Sequence, residues 1–269
     1  MSRLAVSFVL YRTPEEEIAR AIAQVRASVP DARVILVDNS PEPLPVPAVD
    51  GDAVMLLHAG ANLGYGSGHN RAFALTGNAS YHAVLNTDLV YGPEVLPALM
   101  RYMDANADVG LTMPRICYPD GSIQHLCRLL PHPLDIFGRG FLGNSRWTKR
   151  RNERYEFRSW SYDQAAQFPF LSGCFMMLRR EALDAVGGFD ERFFMYGEDV
   201  DLSRRINAAW RTMYVPTAQV AHEYRSAGAG LRRHPIKIRN MIRYFNKWGW
   251  LRDYDRDRRN LATIAALPR

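Results

Sequence analysis

Four apolar runs of strand length, each closing on a small cluster of polar residues, constrain this chain more than any other feature. Leu4 to Leu10 (LAVSFVL) and Arg33 to Val37 (RVILV) are apolar without alternation, as strands covered on both faces are. Ala53 to Leu57 and Tyr81 to Leu85 are the third and fourth runs. Helix signals lie between them. Thr13-Pro14-Glu15-Glu16-Glu17 offers a capping threonine, a proline at the first helical position and acids in the first turn. Residues 41–50 are proline-rich and read as loop. A glycine-rich stretch leads into a helix from about Gly68 to Leu75, Pro93 opens another helix, and Val109 to Met113 is a further strand. Such βαβα alternation predicts an α/β fold whose mostly parallel central sheet is flanked by helices on both faces.

Beyond residue 114 the pattern changes. Tyr118 to Ser122 is a tight turn, and residues 131–167 mix Pro, Gly, Arg and aromatics without periodicity. This stretch reads as a long excursion over the mouth of a site, where acceptor choice would be made. Leu171 to Leu178 is strand again, and residues 198–210 are helical in pattern.

In an open α/β sheet, ligands bind beyond the carboxyl ends of the strands. Tyr11 follows the first strand, Asp38-Asn39 the second, Asn62-Leu63-Gly64 the third and Asn86-Thr87-Asp88 the fourth. One such cluster is ordinary turn chemistry; four in succession mark a site. Gly64, Gly66 and Gly68 permit close backbone approach by a nucleotide, Asn70 lies in the same stretch, and Arg71 either reaches a phosphate or sits in solvent. The stretch is not GxGxxG and the chain has no GK[ST], which argues against dinucleotide and P-loop chemistry. Gly197-Glu198-Asp199-Val200-Asp201 opens a helix with acids, which either complement its dipole or supply a base. Asp201, two residues past Asp199, points away from it on a helix. Ser172-Gly173-Cys174 opens a buried strand, and Cys174 reads as a buried small residue rather than a nucleophile.

The motifs VDNS (37–40), NLGYGSGHNRA (62–72), LNTD (85–88), SGCFMMLRR (172–180), GGFDERFFMYGEDVDLSRR (187–205) and the later His222 occur in one order over most of the chain. Together they resemble the inverting glycosyltransferases of family 2, which have the GT-A fold, and among these the bacterial rhamnosyltransferase-like enzymes of cell-surface polysaccharide assembly. The resemblance implies a Rossmann-like nucleotide-sugar-binding half over 1–114 and an acceptor half over 115–224. It assigns the base of a dTDP- or UDP-sugar to Asp38, with Tyr11 beside it and Asn39, Asn62, Gly64, Asn70, Arg71 and Asn86 around the nucleotide. It implies Asp88 and His222 as ligands of Mg²⁺ or Mn²⁺, with Asn86 standing where family members carry the first aspartate of DxD. It makes Asp199 the general base and Glu198 a contact for a saccharide or lipid-linked acceptor.

Composition bounds the rest. The 269 residues are 47% hydrophobic, enough for a large core, and three cysteines without a CxxC pair suit a reducing compartment. Neither a signal peptide nor a membrane-spanning run is legible, so the expected location is cytoplasmic, peripheral at the inner membrane face. Residues 225–260 hold eleven Lys/Arg against three Asp, leaving the body near neutral. Apolar residues at 238, 241, 242, 245 and 248 fall on one face of a basic amphipathic helix in this C-terminal extension (225–269), suited to an anionic membrane surface, to the protein's own core or to self-association in an oligomer. The closing DYDRDRRN reads as a solvated helix end. Two other readings are weighed. A nucleotidyltransferase, or a module that only binds a sugar nucleotide, would show a basic glycine-rich loop after strand one or lack the acids, whereas that position reads LYRTPEEE. A nucleic-acid binder would rest on the tail alone, with no RNP, KH or helix-turn-helix signature, so no nucleic-acid partner is expected.

Overall fold

The computed structural model describes residues 2–46, 54–142, 145–223 and 235–267. Its first half follows the alternation closely: β1 (Leu4–Leu10), α1 (Glu15–Ser28), β2 (Arg33–Asp38), β3 (Val54–His58), α2 (Tyr65–Phe73), β4 (Tyr81–Leu85), β5 (Leu89–Tyr91), α3 (Val95–Ala105) and β6 (Val109–Cys117). The second half contains β7 (Cys127–Arg128), α4 (Pro133–Leu142), α5 (Arg146–Tyr155), β8 (Ala166–Gln167), β9 (Phe170–Leu171), β10 (Phe175–Arg179), α6 (Arg180–Val186), α7 (Glu198–Ile206), β11 (Arg211–His222), α8 (Pro235–Trp248) and α9 (Tyr254–Ala266).

The main sheet has the order β3-β2-β1-β4-β10-β6-β11-β5, with β8 added beside β11, and β7 and β9 form a separate pair. Strands β1, β2, β3, β4, β6 and β11 run one way, while β5, β8 and β10 oppose their neighbours. The sheet is mostly parallel, as expected, with antiparallel β10 set into its middle. Residues along β1 alternate between two apolar clusters. Leu4, Val6, Phe8 and Leu10 share the large core with Ile18, Ile22 and Val25 of α1 and Leu96 and Leu99 of α3. Ala5 and Val9 belong to the cluster that includes Ala72 of α2. Helices therefore cover both faces, which is why the strands carry no polar alternation.

Several local expectations are corrected. Thr13 does not cap α1: Pro14 is the N-cap residue, and Thr13 Oγ1 accepts from the Tyr11 N–H at 3.1 Å. Helix α2 begins at Tyr65 rather than Gly68, because Gly64, at φ 88°, turns the chain into it. Residues 131–167 are not a structureless excursion but contain α4 and α5, and 171–178 is interrupted at 172–174 between β9 and β10. The charged close of the chain is a helix end that is solvated only in part: it starts α9, capped by Asp253, whose side chain accepts from Arg256 N–H, and Asp253 and Arg256 are buried while Tyr254, Asp257 and Arg258 are exposed. Residues 224–234, which include His234 at the predicted start of the tail helix, lie outside the described residues.

Helix α8 resolves the choice left open by its amphipathic pattern. Met241, Tyr244 and Phe245 are buried with Leu130, Phe170, Phe193 and Val200, so its apolar face is docked on the protein's own core. Charges fasten it further. Asp201 of α7, fully buried, is paired with Arg205 and Lys247 and accepts from Trp248 Nε1 at 2.7 Å. Arg204, 2% exposed, makes a two-pronged contact with Asp253 at 2.6 and 2.7 Å and lies 4.0 Å over the Trp248 ring. A buried ion pair is costly to desolvate, and losing one partner leaves the other charge stranded. Asp253→Ala is expected to cost about 3–5 kcal/mol in urea unfolding, with Arg204→Met/Asp253→Leu recovering most of it.

Between α2 and the sheet lies a polar trio. Ser7 Oγ is 2.7 Å from both His69 Nδ1 and His82 Nε2, and all three residues are fully buried. A single hydroxyl proton serves one imidazole, so the other must donate to the oxygen. Burial pushes His69 down to about 3 and, with the His69 and Arg180 charges, His82 well below its ordinary value. Both stay neutral in the fold while the unfolded chain takes up protons below pH ~6.5, so stability is lost as pH falls. Relative to a His69→Asn/His82→Asn variant, the wild type should lose about 2 kcal/mol per histidine between pH 7 and pH 5. Parallel urea-midpoint profiles for the two proteins would contradict this.

Candidate active site

The carboxyl ends of β1, β2, β4, β6 and β11 and the start of antiparallel β10 all meet one edge of the sheet, and there the predicted residues divide into two sets. One set is drawn together. Asn86 N–H donates to the Cys174 carbonyl at 3.0 Å, which ties the loop after β4 to the turn before β10. The Tyr65 hydroxyl, at the start of α2, sits 3.0 Å from Asn86 Oδ1 and 2.6 Å from the Gly173 carbonyl. Gly173 N–H donates to Asp199 Oδ2 at 3.2 Å, and Asp199 Oδ1 accepts from Val200 N–H at 2.9 Å. Asp199 is half-buried at the first turn of α7, where the helix dipole favours a carboxylate. A Cβ on Gly173 would stand 3.1 Å from that of Asp199, so the close approach read from this glycine is an approach to the acid itself.

Asp88 and His222 also meet. His222 Nε2 is 3.3 Å from Asp88 Oδ1, and Glu223 N–H donates to the Asp88 carbonyl, so the end of β11 is laced to the loop after β4. Gln124 orients the imidazole. Its Nε2 donates to the His222 and Cys117 carbonyls, which turns its Oε1 toward His222 Nδ1 at 3.0 Å. Nδ1 therefore carries the proton, and Nε2 is the nitrogen turned to the acid. Burial lowers the His222 pKa, but Asp88 and Cys174 more than offset this and raise it to about 10. A carboxylate oxygen and an oriented imidazole nitrogen side by side fit a divalent cation. Among the described residues no three His, Cys, Asp or Glu form a metal cage, so an ion here would need ligands from elsewhere, as an ion shared with a substrate diphosphate does.

Glu198 is buried beside Asp199 with Oε2 unpartnered, and its pKa is raised well above the ordinary value by burial and then by the Asp199 charge. Glu198 is thereby biased toward its neutral form beside the acid bonded to Gly173.

The second set holds the loops rather than facing the edge. Asp38 is fully buried, accepting from Ser40 and Leu44 N–H at 2.9 Å each and lying 3.1 Å from His58 Nδ1; despite burial, these bonds keep its pKa below the usual range. Asn39 donates to the Gly64 carbonyl, and Asn62 accepts from Gly64 N–H at 3.0 Å in a tight Asx turn. The glycines are spaced for protein and not for nucleotide: a Cβ on Gly64 would fall 2.3 Å from the Phe194 carbonyl oxygen, on Gly66 2.9 Å from Phe189, and on Gly68 2.7 Å from Val9. Asn70 donates to the Phe189 carbonyl and Glu191 and accepts from Phe189 N–H, which makes it a clamp on the 187–191 loop and removes it from the ligand-contact set. Arg71 is exposed on the last turn of α2, about 9 Å along the axis from Tyr65. Tyr11 remains at the edge, 45% exposed, with Arg12 over its ring.

Tyr65, Gln124 and Glu17 escaped the sequence reading. Glu17 of α1 accepts from the Thr87 hydroxyl within the Asn86-Thr87-Asp88 loop. Tyr65 carried a signal, as the one aromatic among three closely spaced glycines; Gln124 carried none.

This architecture is that of the GT-A glycosyltransferases. The chain is similar in structure to GalNAc-T7 solved with UDP, GalNAc and Mn²⁺ (TM-score 0.66, 13% identity, 92% of this chain and 48% of that one). It is also similar to the mannosyltransferase PcManGT from Pyrobaculum calidifontis, solved with GDP-Man and Mn²⁺ (TM-score 0.57, 16% identity, 91% and 63%). It spans about half of the first of these and less than two thirds of the second. The chain belongs to the glycosyltransferase-like family 2, whose model matches residues 4–243. In sequence it is 35% identical over 238 residues to the N-acetylglucosaminyl-diphospho-decaprenol L-rhamnosyltransferase of Mycobacterium tuberculosis, covering 81% of this chain and 75% of the relative.

Tyr65→Phe leaves Asn86 and the Gly173 carbonyl without their shared partner, and should cost about 1–3 kcal/mol in urea unfolding. An unchanged midpoint would show that the hydroxyl contributes nothing to this junction.

Proposed function

We propose that this enzyme transfers L-rhamnose from a dTDP-sugar to a hydroxyl of a lipid-linked N-acetylglucosamine, with inversion and with a divalent cation. The observation that carries the reading is the meeting of two units at one sheet edge: the Asp88–His222 pair on one side and Asp199, bonded to Gly173, on the other. The 35% identity to a decaprenol-linked rhamnosyltransferase supports the choice of sugar and acceptor.

Asp88 and His222 would hold Mg²⁺ or Mn²⁺, which supplies charge neutralisation to the departing diphosphate. The loops organised by Asp38, Asn39 and Asn62 shape the nucleoside pocket, with Tyr11 at its rim. Asp199 takes the proton of the acceptor hydroxyl as that oxygen bonds to the anomeric carbon. On the opposite face the bond from that carbon to the diphosphate oxygen breaks, and its electron pair leaves with the nucleotide. One displacement inverts the configuration and leaves no sugar on the protein. Glu198, held protonated, can donate a hydrogen bond to the saccharide without competing for the proton.

Asp199→Asn keeps the shape of the side chain and removes the base, and its single oxygen can accept from Gly173 N–H or from Val200 N–H but not from both. Transfer should fall about 10²–10⁴-fold, with dTDP-rhamnose affinity in the presence of Mn²⁺ unchanged within twofold by calorimetry. Near-native transfer by this variant would sink the assignment of the base. A turnover that chelation leaves intact would remove the metal from the reading.

A further inference from the structure

We propose that the corner built by α4, α5 and the α8–α9 turn is a docking face for an anionic lipid bilayer. It is a different surface from the apolar face of α8, which the core already covers.

The aromatic part is continuous. Trp250 is stacked on Phe137 of α4, with ring centroids 6.2 Å apart and planes at 18°, and also meets Phe245 at 5.2 Å. On the next residue of α4, the place of a Cβ on Gly138 lies 3.6 Å from the Trp147 ring. Two tryptophans, from α5 and from the α8–α9 turn, thus straddle one turn of α4. Leu134, one turn earlier on α4, shares the exposure: Leu134 is 45% exposed, Trp147 46% and Trp250 40%, and beyond Trp250 come Leu251 at 71% and Tyr254 at 84%. Apolar side chains this open, gathered on α4, the start of α5 and the α8–α9 turn, mark an interaction surface.

Cations lie beside it. Arg146, Lys149, Arg150 and Arg154 are exposed on α5 against the single acid Glu153, while Arg151 is taken up by Asp135 at 2.6 Å. Arg252 is exposed on the turn, next to Leu251. Tryptophan and tyrosine with a polar tip, flanked by Lys and Arg, match the interfacial zone of a bilayer carrying negative headgroups. A second copy of this chain is the poorer occupant, since a two-fold contact sets each patch against itself and the cations would face cations. The patch also borders the cluster that contains Phe245 and Val200, next in sequence to Asp199, which puts a docked bilayer on the same side of the core as the acceptor's proposed base. That last point rests on the proposed lipid-linked acceptor; binding to vesicles does not.

The test is sedimentation of the full chain with vesicles of phosphatidylcholine alone or mixed with phosphatidylglycerol, at low and high salt. Binding is expected only to the anionic vesicles, weakening with salt. Arg150→Glu/Arg154→Glu should weaken it roughly tenfold or more, and Trp147→Ser/Leu251→Ser should reduce it without altering the circular-dichroism melt. Both variants should retain transfer to a water-soluble acceptor analogue, if the chain proves to be the transferase proposed. Failure to bind anionic vesicles at low salt overturns the proposal, as does binding indifferent to the charge reversal. So does a concentration-dependent dimer in light scattering that these substitutions abolish without changing vesicle binding. Vesicle binding by a chain that transfers no sugar would sink the proposed function and leave this surface standing.

Discussion

Helix α7 is the element on which the site and the C-terminal third of the chain both depend, and buried charge fixes it. Its first turn carries Glu198, Asp199 and Asp201 and its last carries Arg204; Asp201 and Arg204 are no more than 2% exposed. Asp201 collects Arg205, Lys247 and Trp248, and Arg204 collects Asp253 and Tyr244. The pattern of acids first and arginines last also suits the helix dipole. The acid bonded to Gly173 is thereby referenced to the body through α8 and α9, and a C-terminal segment that reads as an appendage is part of what holds this helix still.

Much of the fold was legible because parallel strands buried on both faces leave unmistakable apolar runs, as 4–10, 33–37 and 81–85 do. The second half was harder for definite physical reasons. Helix α5, RWTKRRNERY, has Thr148 and Tyr155 as its buried residues, too few to impose a period. Strand β10 runs against β4 and β6, and nothing in FMMLR distinguishes a central antiparallel strand from a parallel one. The DYDRDRRN close reads as solvated because its partner, Arg204, lies some fifty residues away; ion pairs of that separation have no local signature.

The site divides along the same line. Asp88, His222 and Asp199 were readable, and the structure brings each to the shared edge. The glycine-rich loop was readable as a place needing close approach, but sequence cannot say approach to what. Gly64, Gly66 and Gly68 are small for Phe194, Phe189 and Val9, and that packing draws α2 close enough for Tyr65 to span Asn86 and Gly173. Asp38 and Asn70 look like ligand contacts for a similar reason: a polar side chain at a strand end or helix start serves a loop or a ligand equally well, and the bonds that these two make within the fold go to loops.

Asn86 replaces an acid at the strand-four loop, which lowers the negative charge available to a cation, and the surrounding structure answers that deficit by geometry. Gln124 spends its amide donors on two carbonyls, leaving its oxygen for His222 Nδ1 and fixing the tautomer that turns Nε2 to Asp88. Thr87 is tied to Glu17 and Asn86 to Cys174, so the loop bearing Asp88 is held from α1 on one side and from β10 on the other. On the proposed reading, two side chains held this way would lose little freedom on binding an ion, and preorganisation of that kind would offset part of the attraction that a second carboxylate would have provided. The neutral amide at 86 then has a positive use, since it can share the Tyr65 hydroxyl with Gly173, where a carboxylate would set a further negative charge close to Asp199.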